Sequence, residues 1–160
     1  MPRIVSEQVE VFPFRRRAEL VECLMLQRAD GDTLGGTWHA VHGAIEGRET
    51  AVQAAVRELR EESGLSPLRF WQIDYVSVFF LAATDTIHMN PIFGAEIDPA
   101  AAVSLSSEHK AFQWLPLAAA IEQFMWPNQR RALREIRKQV IQAGPGEPHL
   151  RIDLGQVTRG

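Results

Sequence analysis

The stretch from Gly43 to Leu65, G-AIEGR-E-TAVQAAV-RELREESGL, constrains this chain more than any other. Its core is a helix expected over Thr50 to about Ser63. Thr50 as N-cap with Gln53 three residues later makes a capping box, in which each satisfies a free backbone N–H of the other. Val52, Ala55, Val56 and Leu59 fall at i, i+3, i+4 and i+7 and form an apolar stripe. Gly64 suits the left-handed residue that closes a helix, and Leu65 is placed for the accompanying apolar contact.

On that helix Glu58, Glu61 and Glu62 share one arc, as an i, i+3, i+4 set must. Their mean direction lies roughly 115° from the apolar stripe by helix geometry. They therefore stand at the border between core and cleft. Like charges at this spacing destabilise a helix, and the macrodipole disfavours anions near its C-terminal end. A divalent cation would offset these penalties. An all-oxygen set indicates a hard ion, Mg²⁺ or Mn²⁺, shared with substrate phosphates. Such an ion screens phosphate charge, polarises phosphorus and orients the nucleophile. Gly43 permits close backbone approach. Glu49, just ahead of the helix, can fold back onto Arg57 and pin the loop.

The rest of the chain bounds the fold. Its 160 residues suit one domain with a sizeable core. A net charge of −3 argues against a nucleic-acid polymer as partner. The single cysteine, Cys23, excludes an intrachain disulfide framework and a Cys-rich zinc site, and reads as a buried small hydrophobe. No apolar run approaches a membrane span or a signal core, so no membrane partner and a cytoplasmic location are expected.

Strands are expected over Val9–Phe14, Leu20–Leu26, Trp38–Val41, Leu68–Ala82, Thr86–Ile97 (interrupted near Asn90-Pro91) and Lys110–Leu115. Arg15-Arg16-Arg17 reads as a basic turn. Helices are expected over Leu117–Phe124 and from Pro127, whose apolar positions are Leu133, Ile136 and Val140 and whose arginines form a solvated face. Residues 1–143 read as one domain and residues 144–160 as an extended C-terminal tail. Strands, helix, strands, helices in this order predict a mixed β-sheet with helices on both faces.

The spacing G-x5-E-x7-R-E-U-x-E-E-x-G-U, with U a bulky aliphatic, is matched at Gly43, Glu49, Arg57, Glu58, Leu59, Glu61, Glu62, Gly64 and Leu65. By these residues the chain resembles the Nudix hydrolases. LMLQRAD, TWHAVHG, Ser107-Glu108-His109 with Phe112-Gln113-Trp114-Leu115, and Trp126-Pro127-Asn128-Gln129 look like the bacterial dihydroneopterin triphosphate and dATP pyrophosphohydrolase group. The likeness covers about Val9 to Ile141 and is loosest over Asp85 to Ala102.

The resemblance implies a Nudix α/β/α sandwich and hydrolysis of a nucleoside diphosphate linked to another moiety. It implies Glu58, Glu61 and Glu62 as metal ligands, with the Gly43 carbonyl and Glu108 joining them, and Glu49–Arg57 as a structural pair. The resulting expectation is a Mg²⁺- or Mn²⁺-dependent pyrophosphohydrolase of a nucleotide-like di- or triphosphate, nucleoside or pterin, that releases a monophosphate and pyrophosphate. Glu61 is the candidate general base, a ligand, or both, within a catalytic set of Glu58, Glu61 and Glu62. Arg28, Trp38, His42 and Asn128 are candidate substrate contacts, although Trp38 better suits a packed strand and Arg28 equally suits a surface ion pair. The other histidines show no metal spacing. A nucleotide-sugar, ADP-ribose or dinucleoside polyphosphate hydrolase of the same fold is the first alternative. An inactive nucleotide-binding module is the alternative of another class, and a homodimer is compatible with either.

Overall fold

The computed structural model describes residues 1–157. Residues 158–160, the end of the expected tail, lie outside the described residues. Eight strands form one mixed sheet. They are β1 (Arg3–Val5), β2 (Gln8–Arg17), β3 (Leu20–Arg28), β4 (Trp38–His39), β5 (Val41–Ala44), β6 (Arg69–Leu81), β7 (Thr86–Glu96) and β8 (His109–Pro116). Helix α1 (Ala51–Ser63) packs on one face. Helices α2 (Leu117–Gln123) and α3 (Pro127–Ile136) pack on the other, α3 running on into a π-helical turn, Arg137–Ile141.

The sandwich follows from the apolar runs. In β2, Val9 and Val11 face the α1 side while Phe12 and Phe14 face the α2/α3 side. In β3, Leu24 and Leu26 face α1 while Cys23 and Met25 face away. Both faces of these strands are covered, so the period-2 pattern shows in the sequence as a continuous hydrophobic run. Helix α1 forms as expected, with the Thr50–Gln53 capping box present and Gly64 at φ 71° closing it. Its buried apolar residues are Ala54, Ala55 and Leu59, with Val52 and Val56 half-buried beside them.

Four expectations are corrected. Arg15–Arg17 belong to β2, and the turn falls at Ala18, φ 52°. Arg15 is held there by Glu22 at 2.7 Å and by the ring of Trp114, 4.3 Å away. Strand β7 runs unbroken through Pro91. Pro91 falls in the gap between β1, which pairs as far as His88, and β2, which pairs from Ile92, and opposite it β6 bulges between Gln72 and Val76. A residue without an N–H is tolerated at such a place. Trp38–Val41 divides at Ala40 into β4, paired with β3, and β5, paired with β2.

Finally, the segment from Gly144 is not extended. It forms two short helices, α4 (Glu147–Leu150) and α5 (Leu154–Val157). Glu147 accepts a hydrogen bond from Trp71 Nε1 at 2.7 Å, and Leu150, Ile152 and Leu154 pack against the two core clusters.

Candidate functional site

The site gathers where α1 ends, β5 begins and β3 meets β8. The last carbonyls of α1 lack helical partners. Ser104 N–H donates to Ser63 O at 2.8 Å and Ser106 N–H to Glu62 O at 3.4 Å. These bonds dock the loop before β8 onto the helix end. Ala29 N–H then donates to Glu108 O at 2.9 Å, and His109 pairs in register with Arg28. Glu108 and His109 are thus carried to Glu62 from 46 and 47 positions away in sequence.

Glu62 is 3% exposed, and its Oε2 has no hydrogen-bond partner. Burial pushes its carboxyl up to about 9, and the charges of Glu58 and Glu108 add to the shift. Its ligand-bearing atoms lie within 4.8 Å of those of Glu108 and His109. The residues therefore fit a divalent cation on this structure's own terms: a buried, orphaned carboxylate oxygen faces a second carboxylate and an imidazole. Glu58 is half-buried and its carboxyl is also raised, chiefly by desolvation. It lies so close to Gly43 that a Cβ there would overlap its carboxylate. Glycine at this position is what lets strand and helix approach.

The other charged residues of the stretch form a closed network. Arg57 donates to Glu49 at 2.6 and 3.1 Å, to Ala44 O at 2.8 Å, to Glu58 at 2.8 Å and to Glu61 at 3.1 Å. Glu49 Oε1 also accepts from Glu46 N–H at 2.7 Å, so the loop is tied to the helix. Glu61 presents its side chain to solvent, 57% exposed.

Three histidines, His39, His42 and His109, gather beside Arg28 where the sequence suggested one. His42 and His39 are both held down at about 4, mainly by burial and then by the charge of Arg28, and are neutral near pH 7. His109 is lowered by burial, and its Nδ1 lacks a partner. Sequence reasoning missed His109 and His39 because neither sits at a ligand spacing; adjacency to Glu108 was the signal available for His109. The charge of Arg28 also reaches Glu62, which makes it the cationic side chain nearest the carboxylates among those expected to meet substrate.

Trp38 and Asn128 are placed differently. Trp38 is half-buried against the core on the α2/α3 face. Asn128 accepts from Tyr75 Oη at 3.0 Å and donates to Val78 O at 2.9 Å, which fixes α3 to β6.

A second buried polar group lies on the sheet near His42. Glu10 pairs across the strands with His42, accepts from Asn90 at 3.4 Å, and contacts Ser77. Glu10 Oε2 and Asn90 Oδ1 are buried without partners, and so is Gln129 Oε1 on α3. The amide oxygens of Asn90 and Gln129 can only accept, while burial raises the Glu10 carboxyl.

The model of the NUDIX domain family matches residues 7–136. A Caenorhabditis elegans Ap4A hydrolase structure superposes with a TM-score of 0.72 at 23% identity, covering 86% of this chain and 99% of that one. The Escherichia coli dihydroneopterin triphosphate pyrophosphohydrolase superposes with a TM-score of 0.67 at 25% identity, covering 87% and 99%. An octanoyltransferase of Myxococcus xanthus is 33% identical over 102 residues, which is 62% of this chain and 28% of that protein.

Proposed function

The chain belongs to the NUDIX domain family, and on that premise we propose that it is a divalent-metal-dependent pyrophosphohydrolase acting on a nucleoside or pterin triphosphate. The observation that carries this reading is the buried Glu62 carboxylate, whose Oε2 has no partner and which lies beside Glu108. Leaving such a group unpaired costs stability, so its retention points to a ligand that the described residues do not supply.

Glu62, Glu108 and Glu58, with the Gly43 carbonyl, are the residues that would hold Mg²⁺ or Mn²⁺. Bound there, the ion supplies charge neutralisation and electrophilic activation of a phosphoryl group. The protein's own groups do the rest. Arg28 contributes positive charge beside the carboxylates and orients an anionic chain. Glu61, open to solvent, takes a proton from the attacking water. A water oxygen bonds to phosphorus, the phosphoanhydride P–O bond breaks, and pyrophosphate leaves with the bond's electrons. Glu49 and Arg57 hold the loop and helix in register and take no part in proton transfer.

The unpaired amide oxygens of Asn90 and Gln129, which can only accept, support a heterocycle that brings N–H donors, as an aminopterin or an aminopurine does. The dihydroneopterin triphosphate enzyme, at 25% identity, is consistent with that chemistry.

The test is a panel of nucleoside and pterin triphosphates, nucleotide-sugars, ADP-ribose and dinucleoside polyphosphates, assayed with Mg²⁺ or Mn²⁺. Release of pyrophosphate from a triphosphate is the expected result. Phosphate-free cleavage of a sugar nucleotide or dinucleotide would move the reading to the alternative hydrolases. Metal-dependent ligand binding with no turnover would move it to a binding module.

A further inference from the structure

We propose that His109 donates an imidazole nitrogen to the cation at this site, adding a nitrogen ligand to the carboxylates of Glu62 and Glu108. The inference rests on the hydrolase reading only for the presence of a divalent ion. Three observations support it. His109 is 8% exposed, and its Nδ1 is buried without a partner. Buried polar side-chain atoms are nearly always hydrogen-bonded, so a packed core histidine would be expected to have found one. Its nearest ligand-bearing neighbours, Glu62 and Glu108, lie within 4.8 Å of it and of each other, and Glu62 is itself orphaned. Meanwhile Glu58 and Glu61, the other two carboxylates of the helix, are drawn to Arg57 at 2.8 and 3.1 Å.

The ring is also well placed to act as a fixed ligand. His109 opens β8, its backbone is in register with Arg28 of β3, and its N–H donates to Ser106 O at 3.3 Å. A sheet residue holds its side chain more rigidly than a free loop does. The chemical consequence is selectivity. Mg²⁺ prefers oxygen, whereas imidazole suits borderline ions further along the divalent series. The site therefore favours Mn²⁺ and Co²⁺ over Mg²⁺ more than a carboxylate-only set would.

The experiment uses metal alone, with no substrate. Mn²⁺ is titrated into the metal-free protein, and pulsed electron paramagnetic resonance reads nitrogen modulation from a coordinated imidazole. The modulation is expected in the wild type and absent in His109→Gln, which still binds Mn²⁺ through the carboxylates. By calorimetry, the preference for Co²⁺ over Mg²⁺ is expected to fall roughly tenfold in His109→Gln. Bound Mn²⁺ without nitrogen modulation in the wild type overturns the proposal while leaving the hydrolase reading intact. Modulation that survives in His109→Gln also overturns it, assigning the ligand to His39 or His42. Failure of the wild type to bind any divalent ion overturns the proposal, and a substrate panel without turnover would then remove the hydrolase reading as well.

Discussion

Helix α1 and the loop before it carry carboxylates that are treated in opposite ways. Glu49, Glu58 and Glu61 surround Arg57, and each accepts at least one hydrogen bond from it. Glu62, one residue further on, is the most buried of the set and has an oxygen with no partner. The first group is held in place by one shared donor, Arg57. The second is incomplete without something that the described residues do not provide. Acidic residues a few positions apart thus differ in how far the described residues satisfy them.

The contrast can be broken at Glu62 first. Glu62→Gln keeps shape but removes the anion, and turnover is expected to fall roughly 10³-fold, the several kcal/mol a metal site contributes. Steady-state kinetics checks it, and activity within tenfold of wild type would place the working end of the helix elsewhere. Glu61→Gln is expected to lower kcat by about 10²-fold with Tm little changed, since the side chain is open to solvent and is the proposed base. Unchanged turnover would remove Glu61 from the chemistry.

The same contrast predicts a pH dependence without metal. The Glu62 carboxyl titrates near 4.5 when unfolded and is raised to about 9 in the fold. Between those values the folded state binds the extra proton, so stability is greatest at low pH and falls as pH rises through the window. Thermal melts in chelator should show a steeper fall across this window in the wild type than in Glu62→Gln, and recovery on adding Mn²⁺. A wild-type profile no steeper than that of Glu62→Gln would mean that Glu62 finds a partner.

Smaller effects belong to the scaffold. Arg57→Gln leaves Glu49, Glu58 and Glu61 without their shared donor. It should cost about 1–3 kcal/mol by chemical denaturation, in line with loss of charge-assisted hydrogen bonds in a half-buried network. Asn128→Ala removes the bonds to Tyr75 and Val78 and should cost about 1 kcal/mol, with KM for substrate little changed. A large rise in KM would return Asn128 to substrate binding.

The motif stretch was legible because its signals are local. A capping box, an apolar stripe and a left-handed glycine need only neighbours in sequence, and α1 formed as expected. Arg57 with Glu49 was likewise within reach of one loop. The failures share the opposite property. Arg15–Arg17 looked like a turn because the partners that hold Arg15 in a strand, Glu22 and Trp114, come from β3 and β8. Pro91 looked like a strand break because the gap that spares its missing N–H is made by β1 and β2. The segment from Gly144 looked extended by its prolines and glycines, yet Trp71 and Phe70 give it a surface to fold on.

The sequence by itself determined helix α1, its acidic face, the Glu49–Arg57 pair and the layered class of fold. All of these follow from periodicities and spacings of a few residues. Only the tertiary structure decided which carboxylate is left without a partner, that His109 stands beside it, and that Asn128 is spent on holding α3 to β6. Burial and partnership depend on what other segments bring to a side chain. A docking loop capping the end of α1 brings Glu108 and His109 to Glu62, and no local pattern in the chain encodes that meeting.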